Sequence, residues 1–120
     1  MKKQMLSGLL SPAILLICLT QPVKAANLEE MAQQGDTDAM IILSYKYLSE
    51  ESGTGTEKAK YWLGKAAGLG DTDAQGVLGT LYYTEKNYAE AEPLLTGACS
   101  HNNQPACKLL SKLREQQKRQ

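Results

Sequence analysis

The sequence predicts an all-α protein. The expected form is a short α/α superhelical solenoid of helix-turn-helix repeats, with two full repeats, terminal half-repeats and about six helices. Three observations carry this. First, Gly35-Asp36-Thr37-Asp38-Ala39 returns unchanged as Gly70-Asp71-Thr72-Asp73-Ala74, and a degenerate third copy runs from Cys99 to Ala106. Second, the repeated stretch has the chemistry of a helix-stop, helix-start joint. Glycine closes one helix in the left-handed conformation, and the following Asp caps the free amides of the next. The third copy substitutes Asn102 for the glycine and Asn103 for the Asp, and asparagine is the next-best residue for a left-handed position. Third, apolar residues recur at helical spacing between the joints.

In chain order, residues 1–25 read as a signal peptide. Lys2 and Lys3 precede an apolar run from Met5 to Leu19 that is too short and interrupted for a comfortable membrane span, and Val23-Lys24-Ala25 offers a small-x-small cleavage pattern before Ala26. The stretch 26–120 would then be one small repeat domain of the periplasm or of the secreted fraction. It carries 10 Lys and Arg against 13 Asp and Glu, a formal charge of −3. A mildly acidic domain without a basic cluster argues against nucleic acid as a partner.

Asn27 is placed to cap a helix over 27–34. The first repeat occupies 36–69, with Ala39, Leu43 and Tyr47 forming one apolar stripe. A polar turn from Glu50 to Thr56 leads to a partner helix, Glu57 to Leu69, whose buried side is Ala59, Trp62, Leu63, Ala66 and Ala67. The second repeat, 71–100, matches these with Ala74, Leu78 and Tyr82, then Ala91, Leu94, Leu95 and Ala98, after a shorter internal turn. Pro93 falls inside its second helix, which the continuing stripe keeps as a helix with room for a kink. Ala39, Ala74, Gly79 and Ala91 would let neighbouring helices approach closely. A helix over 103–118 carries Ala106 and Leu110 in register and then turns polar, as a terminal cap must.

The pattern Leu78-Gly79-x-x-Tyr82, with Lys58-Ala59-x-x-Trp62-Leu63-x-Lys65-Ala66-Ala67-x-x-Gly70, resembles the Sel-one-like repeat, a relative of the tetratricopeptide repeat. The resemblance extends from Ala32 to about Leu113. Ser44 stands where the family has glycine, and Glu50 and Glu85 stand where a glycine often follows the tyrosine. Such proteins are typically scaffolds and adaptors whose curved surface holds another protein, so the resemblance implies a protein partner.

Beyond residue 25 the chain holds two cysteines. Cys99 and Cys107 flank the third joint and align with Ala67 and Gln75 at the second. Their Cys-x7-Cys spacing is similar to that of cysteine-rich Sel-one-like proteins, in which a disulfide ties adjacent repeats. A metal site from Cys99, His101 and Cys107 is the alternative; it lacks a fourth ligand and the close pair spacing of structural zinc. No nucleophile motif or phosphate loop is present, and Asp36, Asp38, Asp71 and Asp73 are explained first as caps and first-turn charges. The expectation is a non-enzyme with no cofactor and no metal, monomeric, without a membrane span once the leader is removed.

By analogy with tetratricopeptide repeats, the groove between first helices would carry Ile41, Tyr45, Leu48, Thr80, Tyr83, Lys108 and Lys112. Two readings of Ile41, Tyr45 and Leu48 stay open: an exposed binding surface, or a face covered by the first helix. Three functions compete. One is a periplasmic protein-binding module, scaffold or adaptor, which includes neutralisation of a toxic effector as an immunity protein. Another is a hydrolase, because cysteine-rich relatives have been described as penicillin-binding or β-lactamase-like; Ser100 and Ser111 have no evident base in sequence to support it. The third is an envelope-maintenance factor working through a partner.

Overall fold

The computed structural model describes residues 27–50 and 52–120. The expected leader over 1–25, with its cleavage site, lies outside these residues. Among the described residues six helices follow one another: α1 (Leu28–Gln33), α2 (Thr37–Leu48), α3 (Gly53–Gly68), α4 (Thr72–Thr84), α5 (Tyr88–Ser100) and α6 (Gln104–Lys118). Each packs on its neighbour in sequence, and α4 also meets α6. The architecture is therefore a small all-α solenoid. Among the described residues no helix is long and apolar enough to cross a membrane.

The three joints share one backbone solution. Gly35, Gly70 and Asn102 adopt φ of 97°, 91° and 66°. Their N–H groups donate to Ala32, Ala67 and Cys99, while the N–H groups of Asp36, Asp71 and Asn103 reach back to the carbonyls of Met31, Ala66 and Ala98, each at 3.1 Å. This paired pattern satisfies carbonyls that a helix end leaves orphaned. The same Asp36, Asp71 and Asn103 then accept from the amides of Ala39, Ala74 and Ala106 at 3.0, 2.9 and 3.1 Å. Asn27 does the same for Glu30 at 2.8 Å. One three-residue joint thus satisfies both helix ends it separates.

The side chains across the joint close it in three different ways. Ala32 and Met40 are both buried in the first core cluster. At the equivalent pair, Gln75 Nε2 lies 3.5 Å from the Ala67 carbonyl oxygen. At the third joint, Cys99 and Cys107 form a disulfide with their Cα atoms 4.7 Å apart. Forming that bond consumes both thiols, which removes them from the alternative metal site.

Two core clusters run along the stack. The first, from α1 to α4, is built on Leu43, Trp62, Leu63 and Leu78; the second, from α5 and α6, on Leu95, Leu110 and Leu113. Tyr82 packs against both and so joins them. Gly79 marks a close helix approach: a Cβ there would sit 2.9 Å from the Leu95 side chain. Ser44, the matching residue in α2, is fully buried, and its hydroxyl donates to the Ile41 carbonyl at 2.6 Å. It keeps the position small without leaving a polar atom unpaired.

Two features depart from the sequence reading. Helix α3 starts at Gly53, not Glu57, so half of the expected turn is helical. The reason is tertiary: Gly55 is buried against the Tyr47 carbonyl, with no space for a Cβ, so its lack of a side chain lets α3 dock on the end of α2. The second is Lys86, which closes α4 in the left-handed conformation with φ 61°, its neighbour Asn87 donating to the Tyr82 carbonyl at 2.8 Å. The internal turn of the second repeat thus shares the left-handed closure of the joints, but Asn87 makes no side-chain cap of α5. Leu94, expected on the buried side, is half-buried at the edge of the first cluster.

Lys60 adds a polar tie between repeats. Its ammonium lies 2.7 Å from Glu57 and 3.1 Å from Glu85 at the end of α4, with the side chain only 15% exposed. The hydrogen bond to Glu57, helped by Glu85 and opposed by partial burial, holds its pKa above the ordinary 10.5. A raised lysine pKa means the tie is intact below about pH 10.5 and is lost as pH climbs through the folded value.

Two stability predictions follow from the joints. Replacing Lys86 by Gly should remove a left-handed non-glycine residue and stabilise by about 1 kcal/mol, raising Tm by roughly 5 °C in a thermal melt; an unchanged or lower Tm would show the position is unstrained. The double substitution Ala67→Cys, Gln75→Cys should form a second disulfide without added oxidant catalyst, detectable as no gain in free thiols. By the loop-entropy model it should contribute about 2.5 kcal/mol, less any strain.

Candidate binding groove

The first helices of successive units, α2, α4 and α6, bound a cleft of about 410 Å³. Its lining is Tyr45 from α2, Gly76, Val77, Thr80 and Leu81 from α4, and Asn103, Pro105 and Ala106 at the start of α6. Most of that surface is apolar. Each lining element has a local cause. Gly76 occupies the position held by Ile41 in α2; a Cβ there would come 2.9 Å from Asn103 Nδ2, so the missing side chain admits the third joint. Asn103 is held by its own capping bond to Ala106, and its Nδ2 lies 3.5 Å from Asp73 Oδ1. Pro105 fits the first turn of α6, where no backbone donor is required. Thr80 Oγ1 donates to the Gly76 carbonyl at 2.8 Å, fixing its rotamer.

Of the seven expected groove residues, the cleft brings together Tyr45 and Thr80. Tyr45 is 53% exposed. Ile41 is half-buried and packs against the first core cluster, to which α1 contributes Leu28 and Met31. Leu48 is half-buried at the last turn of α2. Tyr83 is committed in part to packing: it is half-buried on the second cluster, its ring 5.5 Å from that of Tyr88. Lys108 and Lys112 are exposed on α6 beyond the cleft lining. The sequence reading passed over Gly76, Val77, Leu81, Asn103, Pro105 and Ala106. The one available signal was Gly76 itself, a glycine inside a helix at the register of Ile41.

The serine chemistry takes a definite form. Ser100 Oγ lies 3.2 Å from His101 Nδ1, yet both groups also meet the Gly97 carbonyl, at 2.7 and 2.9 Å. A contact to a carbonyl oxygen makes Nδ1 the protonated nitrogen, so it has no lone pair to accept the serine proton. Ser111 donates to the Cys107 carbonyl at 3.1 Å. Among the described residues no group of three His, Cys, Asp or Glu side chains is arranged to hold a metal ion. No family model, characterised protein or solved structure matches the chain.

The burial difference between the two tyrosines generates a test. Tyr45→Ala should shift Tm by no more than about 2 °C, as expected of a surface change of a few tenths of a kcal/mol. Tyr83→Ala should cost about 2 kcal/mol, roughly half the loss for a fully buried aromatic, and lower Tm by about 10 °C. Equal shifts in calorimetry would mean that Tyr45 is part of the packed core.

Proposed function

We propose that the chain is an exported Sel-one-like repeat protein that acts without catalysis, by holding a segment of another protein in the cleft between α2, α4 and α6. The observation that carries the reading is the cleft itself. It is apolar, bounded by three first helices, and it presents an exposed tyrosine that no core cluster claims. Aromatic side chains at the centre of a concave surface are the usual anchors of binding energy. The Cys99–Cys107 bond supports export, since structural disulfides persist in oxidising compartments such as the periplasm. Scaffolding, adaptor work, neutralisation of an effector and envelope maintenance would all use this one surface.

A random peptide library displayed on phage and selected against the immobilised protein tests the reading. Selected peptides should bind in titration calorimetry, and Tyr45→Ala should weaken them at least tenfold, about 1.4 kcal/mol. Tyr61, 56% exposed but on α3 and outside the cleft, is the matched control, and Tyr61→Ala should leave affinity unchanged. Peptides that bind equally to wild type and Tyr45→Ala would move the site elsewhere.

A further inference from the structure

The first helices differ from one another at equivalent positions, and the difference is directional. At one register the residues are Ile41, Gly76 and Lys108; at the next they are Tyr45, Thr80 and Lys112. Gly76, Tyr45 and Thr80 line the cleft. The same face therefore passes from apolar on α2, through small on α4, to cationic on α6. Pro105 ties the two lysines to the cleft: it lines the cavity, and residues three and seven positions further along a helix share its face.

The charges that surround this face are accounted for. Among the described residues the ion pairs are Lys46–Glu29, Lys60–Glu57, Lys60–Glu85 and Arg114–Glu92, so neither Lys108 nor Lys112 has a carboxylate partner. Arg114, on the same helix, is paired across to α5. Glu115 follows one turn after Lys112 without pairing to it. Asp38 and Asp73 are exposed in the first turns of α2 and α4, and Asp73 stands beside Asn103 at the start of α6. The groove is thus bipolar, with carboxylates at the start of α2 and α4 and two unneutralised ammonium groups along α6.

We infer that the occupant of the cleft is an acidic peptide segment, with an apolar side chain seated against Tyr45, Val77 and Leu81 and carboxylates lying over Lys108 and Lys112. This rests on the proposed use of the cleft for a protein segment. Asp73, one turn before Gly76 on α4 and beside the start of α6, repels carboxylates there and so sets the direction in which the segment lies. Because residues 26–120 carry a formal charge of −3, the attraction is local, and salt screens charges separated by more than about 8 Å at physiological ionic strength. Acidic ligands should accordingly be recognised through the two lysines alone, not through the field of the whole domain.

Two fluorescein-labelled peptide pools provide the probe. Both carry Leu, Tyr or Phe at alternate positions; the remaining positions are Asp or Glu in one pool and Lys or Arg in the other. Fluorescence anisotropy at low ionic strength should show the acidic pool binding at least tenfold more tightly, with the preference falling as salt is added. The double variant Lys108→Glu, Lys112→Glu should abolish or invert the preference, and Lys108→Gln, Lys112→Gln should reduce it, with melting curves confirming that both remain folded. Equal binding of the two pools, a basic preference, or an acidic preference that survives both lysine variants overturns the inference. If those results come with binding that Tyr45→Ala weakens, the cleft still serves as the binding site and only its charge selectivity is wrong. Failure of both pools to bind overturns both readings.

Discussion

The structure depends on one interaction used three times: an Asp or Asn side chain that caps a helix immediately after a left-handed residue has closed the previous one. The coupling matters because each half would be weak alone. A left-handed closure without a cap leaves the next helix's amides unsatisfied, and a cap without the closure leaves the preceding carbonyls orphaned. Placed on adjacent residues, the two fix both the end of one helix and the direction of the next. Asp36, Asp71 and Asn103 each serve twice, through the backbone amide toward the helix behind and through the side chain toward the helix ahead. The relative placement of successive units follows from this small constraint, and only then can the apolar stripes meet.

What the joint sets up, small residues and one covalent bond complete. Gly79 against Leu95, Gly55 against the Tyr47 carbonyl and Gly76 against Asn103 are three places where an absent side chain allows an approach that a methyl group would obstruct. Tyr82 carries packing from the first cluster into the second, so the stack has no gap between repeats. The disulfide sits at the third joint, ahead of α6, a helix whose surface is mostly polar.

The joints, the stripes and the cysteine pair were legible in the sequence because each depends on local chemistry at fixed spacing. Asn102 could be assigned to the left-handed position from its register with Gly35 and Gly70, and Cys99 and Cys107 could be set across a joint by alignment with Ala67 and Gln75. Two other features were hidden for opposite reasons. Gly53-Thr54-Gly55-Thr56 has the composition of a turn, and only the contact between Gly55 and the end of α2 makes it helix, a tertiary effect that overrides propensity. Lys86 has no signal at all, since nothing in its side chain favours the conformation that the surrounding hydrogen bonds impose. At the groove, periodicity set Tyr45 and Tyr83 alike apart from the core stripe, whereas Tyr45 is exposed and Tyr83 packs on the second cluster. The two differ by what stands opposite, which here is Tyr88 for Tyr83 and open cleft for Tyr45.

That last contrast separates the positions that build the stack from those that face the cleft. Positions that build the stack are kept alike between units: Ala39 with Ala74, Leu43 with Leu78, Tyr47 with Tyr82. Positions on the open face are not: Ile41 becomes Gly76 and then Lys108, and Tyr45 becomes Thr80 and then Lys112. Packing explains the first set, because each residue meets the same surroundings in each unit. In the second set it explains Ile41 and Gly76 but not the exposed Tyr45, Thr80, Lys108 and Lys112, where any soluble residue could stand. The cleft exists because Gly76 is not another isoleucine, and its cationic border exists because α6 does not repeat the residues of α2. An array of identical units would present a uniform surface, whereas this one places a hollow, an aromatic ring and two ammonium groups in a fixed order across three helices. Recognition of a directional ligand, such as a peptide chain, needs that kind of asymmetry. Here it arises partly from Gly76, whose missing side chain the third joint requires, and otherwise from exposed residues that the stack leaves free to differ.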